Sequence, residues 1–162
     1  GLIVFAAIYS YMMKLFQGFV FSVEEYGKVW LSFDAEQYRG LMQMVIQSDQ
    51  MSMFKNVFVL NIFSVTALTI ALFALSLMIA RSFDETSKLH KIAYIFPLFP
   101  IIIAILDIIP SILILITNLA EFPSWLAYIT SGGYVIRVLL LYILFIWLIF
   151  ALIRFVVRKL KR

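Results

Sequence analysis

Residues 57–80 decide the fold: they read VFVLNIFSVTALTIALFALSLMIA and run for 24 residues without a charged side chain. A helix that crosses a membrane needs about 20 predominantly apolar residues. Three further stretches are predominantly apolar, namely 2–21, 92–120 and 125–157. The sequence therefore predicts an all-α integral membrane protein, a single transmembrane domain (1–162) built as a four-helix bundle.

The composition supports this interpretation and narrows the chemistry. Hydrophobic residues make up 64% of the chain and charged residues 14%, whereas soluble domains have about 45–50% and about 25%. The chain has no cysteine, which excludes disulfides, thiolate metal sites and cysteine nucleophiles. Its single histidine argues against a histidine-based metal site. We therefore expect no catalytic residue, no cofactor and no bound metal.

Basic residues predict the orientation of the chain. Five of them lie in the last turn of the final apolar stretch or after it, at Arg154, Arg158, Lys159, Lys161 and Arg162. Three more lie in the loop between the second and third stretches. Lys and Arg are enriched in cytoplasmic loops, so both segments are expected on the cytoplasmic side. This places the C-terminus in the cytoplasm of a bacterium, with the protein in the inner (plasma) membrane. The same cluster favours contact with anionic lipid over nucleic acid.

The polar region 22–55 is then external, and its sequence predicts two helices. Residues 22–25 (SVEE) fit a capping box, and residues 34–37 (DAEQ) repeat the signal. Tyr26 and Trp30 belong to an apolar stripe at helical spacing, which is expected on a surface or at the lipid interface. Apart from Gly40, no glycine or proline interrupts the pattern from Ala35 to Ala80, so the second helix is predicted to continue into the second span.

Two ionisable residues, Asp107 and Arg137, lie inside the third and fourth apolar stretches. An unpaired charge there costs at least about 2.5–3.5 kcal/mol. Asp107 lies 14 residues before Glu121, and Arg137 lies 12 residues after Trp125. At about 1.5 Å per residue the two depths agree within a few ångströms. The sequence therefore predicts a direct ion pair between neighbouring antiparallel helices.

Other polar side chains share the predicted faces of the same helices. Together with the pair they define a candidate intramembrane cluster of Asp107, Arg137, Ser111, Tyr134, Thr130, Ser64 and Asn56. One interpretation is a buried ion pair that fixes the register of the helices. The other is a polar pocket that opens outward beneath the external helices. The residues alone leave both open.

The pattern resembles a family of small bacterial four-span membrane proteins whose role is uncharacterised. Members have a Gly-Arg step in the external segment, a proline-led run ending Leu-Asp-x-x-Glu-Asn in the third span, and a lysine in the fourth. Here Arg39 matches the arginine of the step, and Pro100 begins the run that reaches Asp107. Arg137 occupies the position at which the family has its lysine. The resemblance implies a four-span fold and supplies no activity.

This chain also departs from the family pattern. Pro110 and Ser111 stand where the family has Glu-Asn, and Asn56 stands near the position of an acid that enters the second span. If the family has a polar active centre, this chain lacks part of it. The departure favours a structural interpretation of the remaining pair.

Two functions are compatible with these observations. The first is a non-enzymatic accessory subunit or scaffold that binds a membrane-protein partner, a second copy or lipid. The alternative is a carrier or enzyme that handles a lipid or small molecule in an outward-facing pocket around Asp107 and Arg137.

Overall fold

The structure, a computed structural model, describes residues 1–83 and 87–160. Lys161 and Arg162 of the predicted basic tail lie outside the described residues. Every regular element within the described part is helical. The helices are α1 Leu2–Phe16, α2 Val23–Leu31, α3 Ala35–Gln47, α4 Met51–Arg81, α5 Lys88–Ala93, α6 Leu98–Ile116 and α7 Ser124–Leu160, with a 3-10 turn at Leu119–Glu121.

Three helical segments are long and apolar enough to cross a membrane: Met51–Arg81, Leu89–Ile116 and Ser124–Arg154. The helix α1 is also apolar but has only 15 residues. At about 1.5 Å per residue it is about 22 Å long, whereas a bilayer's hydrocarbon core is about 30 Å thick. The described chain thus contains three membrane-capable segments and one shorter apolar helix.

The long helices form a row in which each packs against the next, in the order α1, α4, α6, α7. The first turn of α1 approaches α4 closely, because a Cβ on Gly1 would lie 2.8 Å from the Cβ of Ala71 and 3.0 Å from the carbonyl of Ala67. Small residues on both sides permit this approach. In the described residues the two end helices, α1 and α7, do not pack extensively along each other.

Helices α2 and α3 cover one end of the row. The predicted capping box is present: Glu25 N–H donates to Ser22 Oγ, and Ser22 N–H donates to a Glu25 carboxylate oxygen. The Phe33 N–H and the Tyr38 hydroxyl both bond Ser131 Oγ of α7, at 3.3 and 3.1 Å. The helix α2 therefore extends from the end of α1 to α7 and closes this end of the row.

Aromatic residues close the opposite end. Trp147 of α7 stacks on Phe96 and on Phe83, with ring centroids 4.2 and 5.6 Å apart. The guanidinium of Arg154 lies 4.3 Å from the centroid of the Phe83 ring, a cation–π contact. This cluster joins the ends of α4, α6 and α7 near the basic residues of the sequence.

The predicted continuous helix from residue 35 into the second span is wrong, because the chain turns between α3 and α4. Asp49 has a φ of 54°, in the left-handed region. The N–H of Gln50 donates to Val45 O and that of Asp49 to Ile46 O, the pattern of a Schellman C-cap. Glycine is the usual residue at this position. Aspartate tolerates the conformation as well, so no obvious breaker appeared in the sequence.

Two predicted span boundaries also need correction. The first span was predicted over 2–21, but α1 ends at Phe16 and a turn follows. The third was predicted over 92–120, but turn residues 94–97 separate α5 from α6, which ends at Ile116. Pro97 has no N–H to donate to the helix, and proline disfavours helical geometry at the residue before it. The external helix starts and the fourth span agree with the prediction to within about three residues.

The substitution Asp49→Gly tests the α3–α4 turn. Glycine adopts a positive φ without the steric cost of a Cβ, so the variant should be more stable by about 0.5–1 kcal/mol. Ser48→Gly is the control, since Ser48 has a φ of −87° and its hydroxyl donates to Met44 O at 2.7 Å. Thermal unfolding in detergent should give a higher Tm for Asp49→Gly only. Equal Tm values for the two variants would contradict the turn geometry.

Candidate functional site

Asp107 of α6 and Arg137 of α7 are in direct contact. Arg137 Nη1 donates to Asp107 Oδ2. The side chains are 23% exposed for Arg137 and 16% exposed for Asp107, so both charges are largely buried. The guanidinium also lies 4.8 Å from the ring centroid of Tyr134, one turn earlier in α7. A carboxylate and an aromatic face therefore hold this cation in place.

A third helix joins the pair through Asn61 of α4. Its amide Nδ2 donates to Asp107 Oδ1 at 3.4 Å and to Ser111 Oγ at 3.3 Å. The hydroxyl of Ser111 in turn donates to the Asp107 carbonyl at 2.8 Å. Each oxygen of the carboxylate thus has a donor, one from α4 and one from α7. This polar network links three helices of the row.

The close approach of α6 and α7 beside the pair depends on Pro110 and Gly133. Pro110 has no N–H, so the carbonyl of Leu106 is free of its usual helical donor. A Cβ added to Gly133 would lie 3.1 Å from that carbonyl oxygen and 3.8 Å from Pro110 Cγ. A side chain at position 133 would press on that carbonyl, so glycine favours this separation, which brings Arg137, one turn further along α7, to Asp107.

A cavity of about 140 Å³ lies against this network. It receives residues from both end helices of the row as well as from α2, α4 and α6. Its lining comprises Met12, Phe16, Tyr26, Trp30, Val57, Phe58, Asn61, Leu106, Asp107, Pro110, Ser111, Ile114, Thr130, Tyr134 and Arg137. The polar groups gather on α4, α6 and α7, whereas α1 and α2 contribute apolar and aromatic surface.

Helix α2 forms the roof of the cavity through Tyr26 and Trp30, whose rings stack with centroids 4.1 Å apart. Trp30 also stacks on Phe58 at 5.9 Å. Burial raises the pKa of Tyr26 well above its usual value and the pKa of Tyr38, in the same layer, to about 12. Both phenols are therefore neutral near pH 7, and the roof adds no charge to the pair.

The structure brings together five of the seven residues in the predicted cluster and separates the other two. Asp107, Arg137, Ser111, Tyr134 and Thr130 all line the cavity. Ser64 is buried in α4 but does not line it. Asn56 is exposed and lines a separate groove of about 520 Å³ beside α1 and α4.

Asn56 was predicted in the cluster but lies on a different side of helix α4 from the residues that meet the ion pair. It lies on the side of α4 that faces α1, where Ala67 and Ala71 meet the first turn of α1. Asn61 is five residues after Asn56, about 140° further around the helix, and contacts α6 instead. The face of α4 that meets the ion pair is therefore a different one from the face predicted.

Outside the cavity, the external residue Arg39 has a structural contact. Its Nε donates to the carbonyl of Phe122 at 3.1 Å. This bond ties α3 to the turn between α6 and α7, and Arg39 is absent from the cavity lining.

Three residues line the cavity that the sequence did not predict there, namely Asn61, Tyr26 and Trp30. Asn61 carried a usable signal, because it is an amide inside an apolar span, where polar side chains tend to bond to neighbouring helices. Tyr26 and Trp30 were recognised as an apolar stripe, but nothing local indicates that α2 folds over the row. That arrangement depends on contacts distant in sequence, such as those with Ser131.

The unused hydrogen-bonding capacity of Arg137 determines what the cavity can do. A guanidinium has five N–H donors, and one bonds Asp107 here. The Nε of Arg137 is buried without a hydrogen-bond partner in the described part of the chain. Because the two charges of the pair cancel, the site can bind oxygen acceptors without requiring a net negative ligand.

Comparison with models of protein families, with curated proteins and with solved structures finds no match to this chain. The resemblance to four-span bacterial proteins therefore stays a prediction.

The substitution Gly133→Ala tests the approach of α6 and α7. Alanine usually favours a helix over glycine by about 1 kcal/mol, but here the new methyl would press on the Leu106 carbonyl at 3.1 Å. We expect a lower Tm in detergent. Gly132→Ala is the matched control, since the nearest atom to its new methyl is Phe33 Cε1 at 3.9 Å, and its Tm should stay or rise. A Gly133→Ala variant as stable as Gly132→Ala would contradict the close approach.

Proposed function

We propose that this chain is an integral membrane protein that binds a lipid or small molecule in the cavity beside Asp107 and Arg137. In this proposal α1, α4, α6 and α7 are all embedded in the membrane, α2 and α3 lie on its external side, and the C-terminus is cytoplasmic. The basic residues Arg81, Lys91 and Arg154 near one end of the row support that orientation. The resemblance to bacterial four-span proteins supports the inner (plasma) membrane of a bacterium.

The depth of the polar network supports a role at the outer side of the membrane. Seventeen residues separate Arg137 from Arg154, about 25 Å of helix. Twenty separate Asn61 from Arg81, about 30 Å. With the arginines at the inner boundary of a hydrocarbon core about 30 Å thick, the network lies near the outer boundary. An outward-facing site fits this depth.

The observation that carries the proposal is the buried, unpartnered Nε of Arg137 beside a cavity. A buried donor without an acceptor costs about 1–3 kcal/mol, and more when it is charged. A pair that only fixed helix register would need neither the cavity nor an unpartnered donor. We expect a ligand oxygen in the cavity to accept a hydrogen bond from this guanidinium, whose side chain is partly exposed. This favours ligand binding over a purely structural role for the pair.

The accessory-subunit hypothesis has a separate observation in its favour. The groove of about 520 Å³ beside α1 and α4 carries Asn56, Ser52 and Asp49 on a surface that is otherwise apolar. Polar side chains at that position suit hydrogen bonding to a helix of a partner protein or of a second copy. Purification of the chain with a stoichiometric protein partner, retained through Asn56, would support this second function.

The substitution Arg137→Lys tests ligand binding while it keeps the positive charge opposite Asp107. Lysine lacks the fork of guanidinium donors, and the loss of a hydrogen bond to a charged group costs about 1.5–3 kcal/mol. We therefore expect ligand occupancy to fall about tenfold or more. Molecules retained by protein extracted in native-membrane nanodiscs would be quantified by mass spectrometry.

Arg81→Lys is the matched control, because Arg81 is exposed at the end of α4, away from the cavity. It should retain the same molecules as the unmodified chain. Identical retained molecules, in identical amounts, in all three proteins would contradict the proposed function.

A further inference from the structure

The cavity lies between the two end helices of the row. Met12 and Phe16 of α1 line it on one side, and Tyr134 and Arg137 of α7 line it on the other. Successive helices of the row pack along each other, but extensive packing between α1 and α7 is absent from the described residues. Helix α2 spans the distance between them at the external end. The side of the row between α1 and α7, below α2, therefore lacks the close helix packing found elsewhere in the row.

We propose that this side is a lateral entrance from the membrane and that the ligand is a glycerophospholipid of the outer leaflet. Its phosphate or ester oxygens accept hydrogen bonds from Arg137, and an acyl chain leaves the cavity between α1 and α7. This inference rests on the proposed function and specifies the class of ligand and its route.

The size of the cavity is the first argument. Sites that enclose a drug-sized molecule have about 300–1,000 Å³, whereas this cavity has about 140 Å³. It therefore encloses only part of a lipid, and the remainder must extend through an opening. The side between α1 and α7 is the opening that the helix row provides.

The distribution of polar groups is the second argument. Donors and acceptors come from α4, α6 and α7, at Asn61, Ser111 and Arg137, while Met12 and Phe16 of α1 are apolar. A polar head bound to α4, α6 and α7 with an acyl chain against α1 matches this pattern. A water-soluble ligand has no apolar part to place against α1. A partner helix, about 10–12 Å wide, is too large for so small a cavity.

The roof is the third argument. Trp30 is 8% exposed, stacks on Tyr26 and Phe58, and makes a tilted ring contact with Tyr38 at 5.2 Å. The external end is thus covered by packed aromatic rings, which obstruct access from the aqueous side. Lateral access needs no movement of α2.

Fluorescence of Trp30 tests this route. The chain has three tryptophans, so Trp125→Phe with Trp147→Phe leaves Trp30 as the single probe. Trp125 is half exposed, and Trp147 Nε1 has no hydrogen-bond partner in the described residues. Trp147→Phe therefore removes no hydrogen bond, and phenylalanine keeps an aromatic ring opposite Phe83 and Phe96. In vesicles of phospholipid brominated on the acyl chain, we expect loss of Trp30 emission. Aqueous iodide should cause little loss.

Arg137→Lys in the same background separates bound lipid from bulk lipid. Occupancy should fall about tenfold or more, so most of the quenching due to bound lipid should disappear. The matched control keeps Trp125 alone, through Trp30→Phe and Trp147→Phe. Its quenching comes from bulk lipid and should be the same with arginine or lysine at position 137.

Two results would overturn the lateral route. Quenching of Trp30 that is unchanged by Arg137→Lys would mean that no lipid is bound at Arg137. Strong quenching by iodide would mean that the cavity opens to water. In either case a retained small molecule that depends on Arg137, but not on Arg81, would leave the proposed function intact. Loss of that dependence as well would remove both proposals.

Discussion

The ion pair of Asp107 and Arg137 is the constraint on which the rest of the site depends. Neither charge is tolerable alone between apolar helices, so α6 and α7 must align in register to bring them together. Gly133 and the Leu106 carbonyl released by Pro110 allow the necessary approach. The Nε of Arg137 then has no hydrogen-bond partner in the described chain. A polar cavity follows from this choice of residues.

The arrangement of the helices in a row determines which kind of molecule the cavity suits. Helices α1 and α7 both line the cavity, but the described residues show no extensive packing between them. The external helix α2 covers the end of the row, and aromatic stacking around Trp30 holds it there. Polar donors inside, apolar edges and a fixed roof together suit a molecule that belongs partly to the membrane.

The sequence predicted the parts of this structure that depend on local rules or strong energetic penalties. Charge burial indicated Asp107 and Arg137 together, and the capping signals identified the starts of α2 and α3. Local rules failed where a tolerated exception replaced the usual residue, as at Asp49. They failed again where a contact depended on the direction in which a side chain leaves its helix, as for Asn61, or on packing between distant segments, as for Trp30. The shape of the cavity belongs to that second class.

The most direct test of the account is the coupling energy between Asp107 and Arg137, measured by a double-mutant cycle on unfolding free energy in detergent micelles. Asp107→Asn and Arg137→Leu should each cost about 3–5 kcal/mol, because each leaves a buried charge without its partner. The double variant should cost less than either single variant, since no buried charge remains. Losses that simply add in the double variant would contradict the claim that this pair organises the structure.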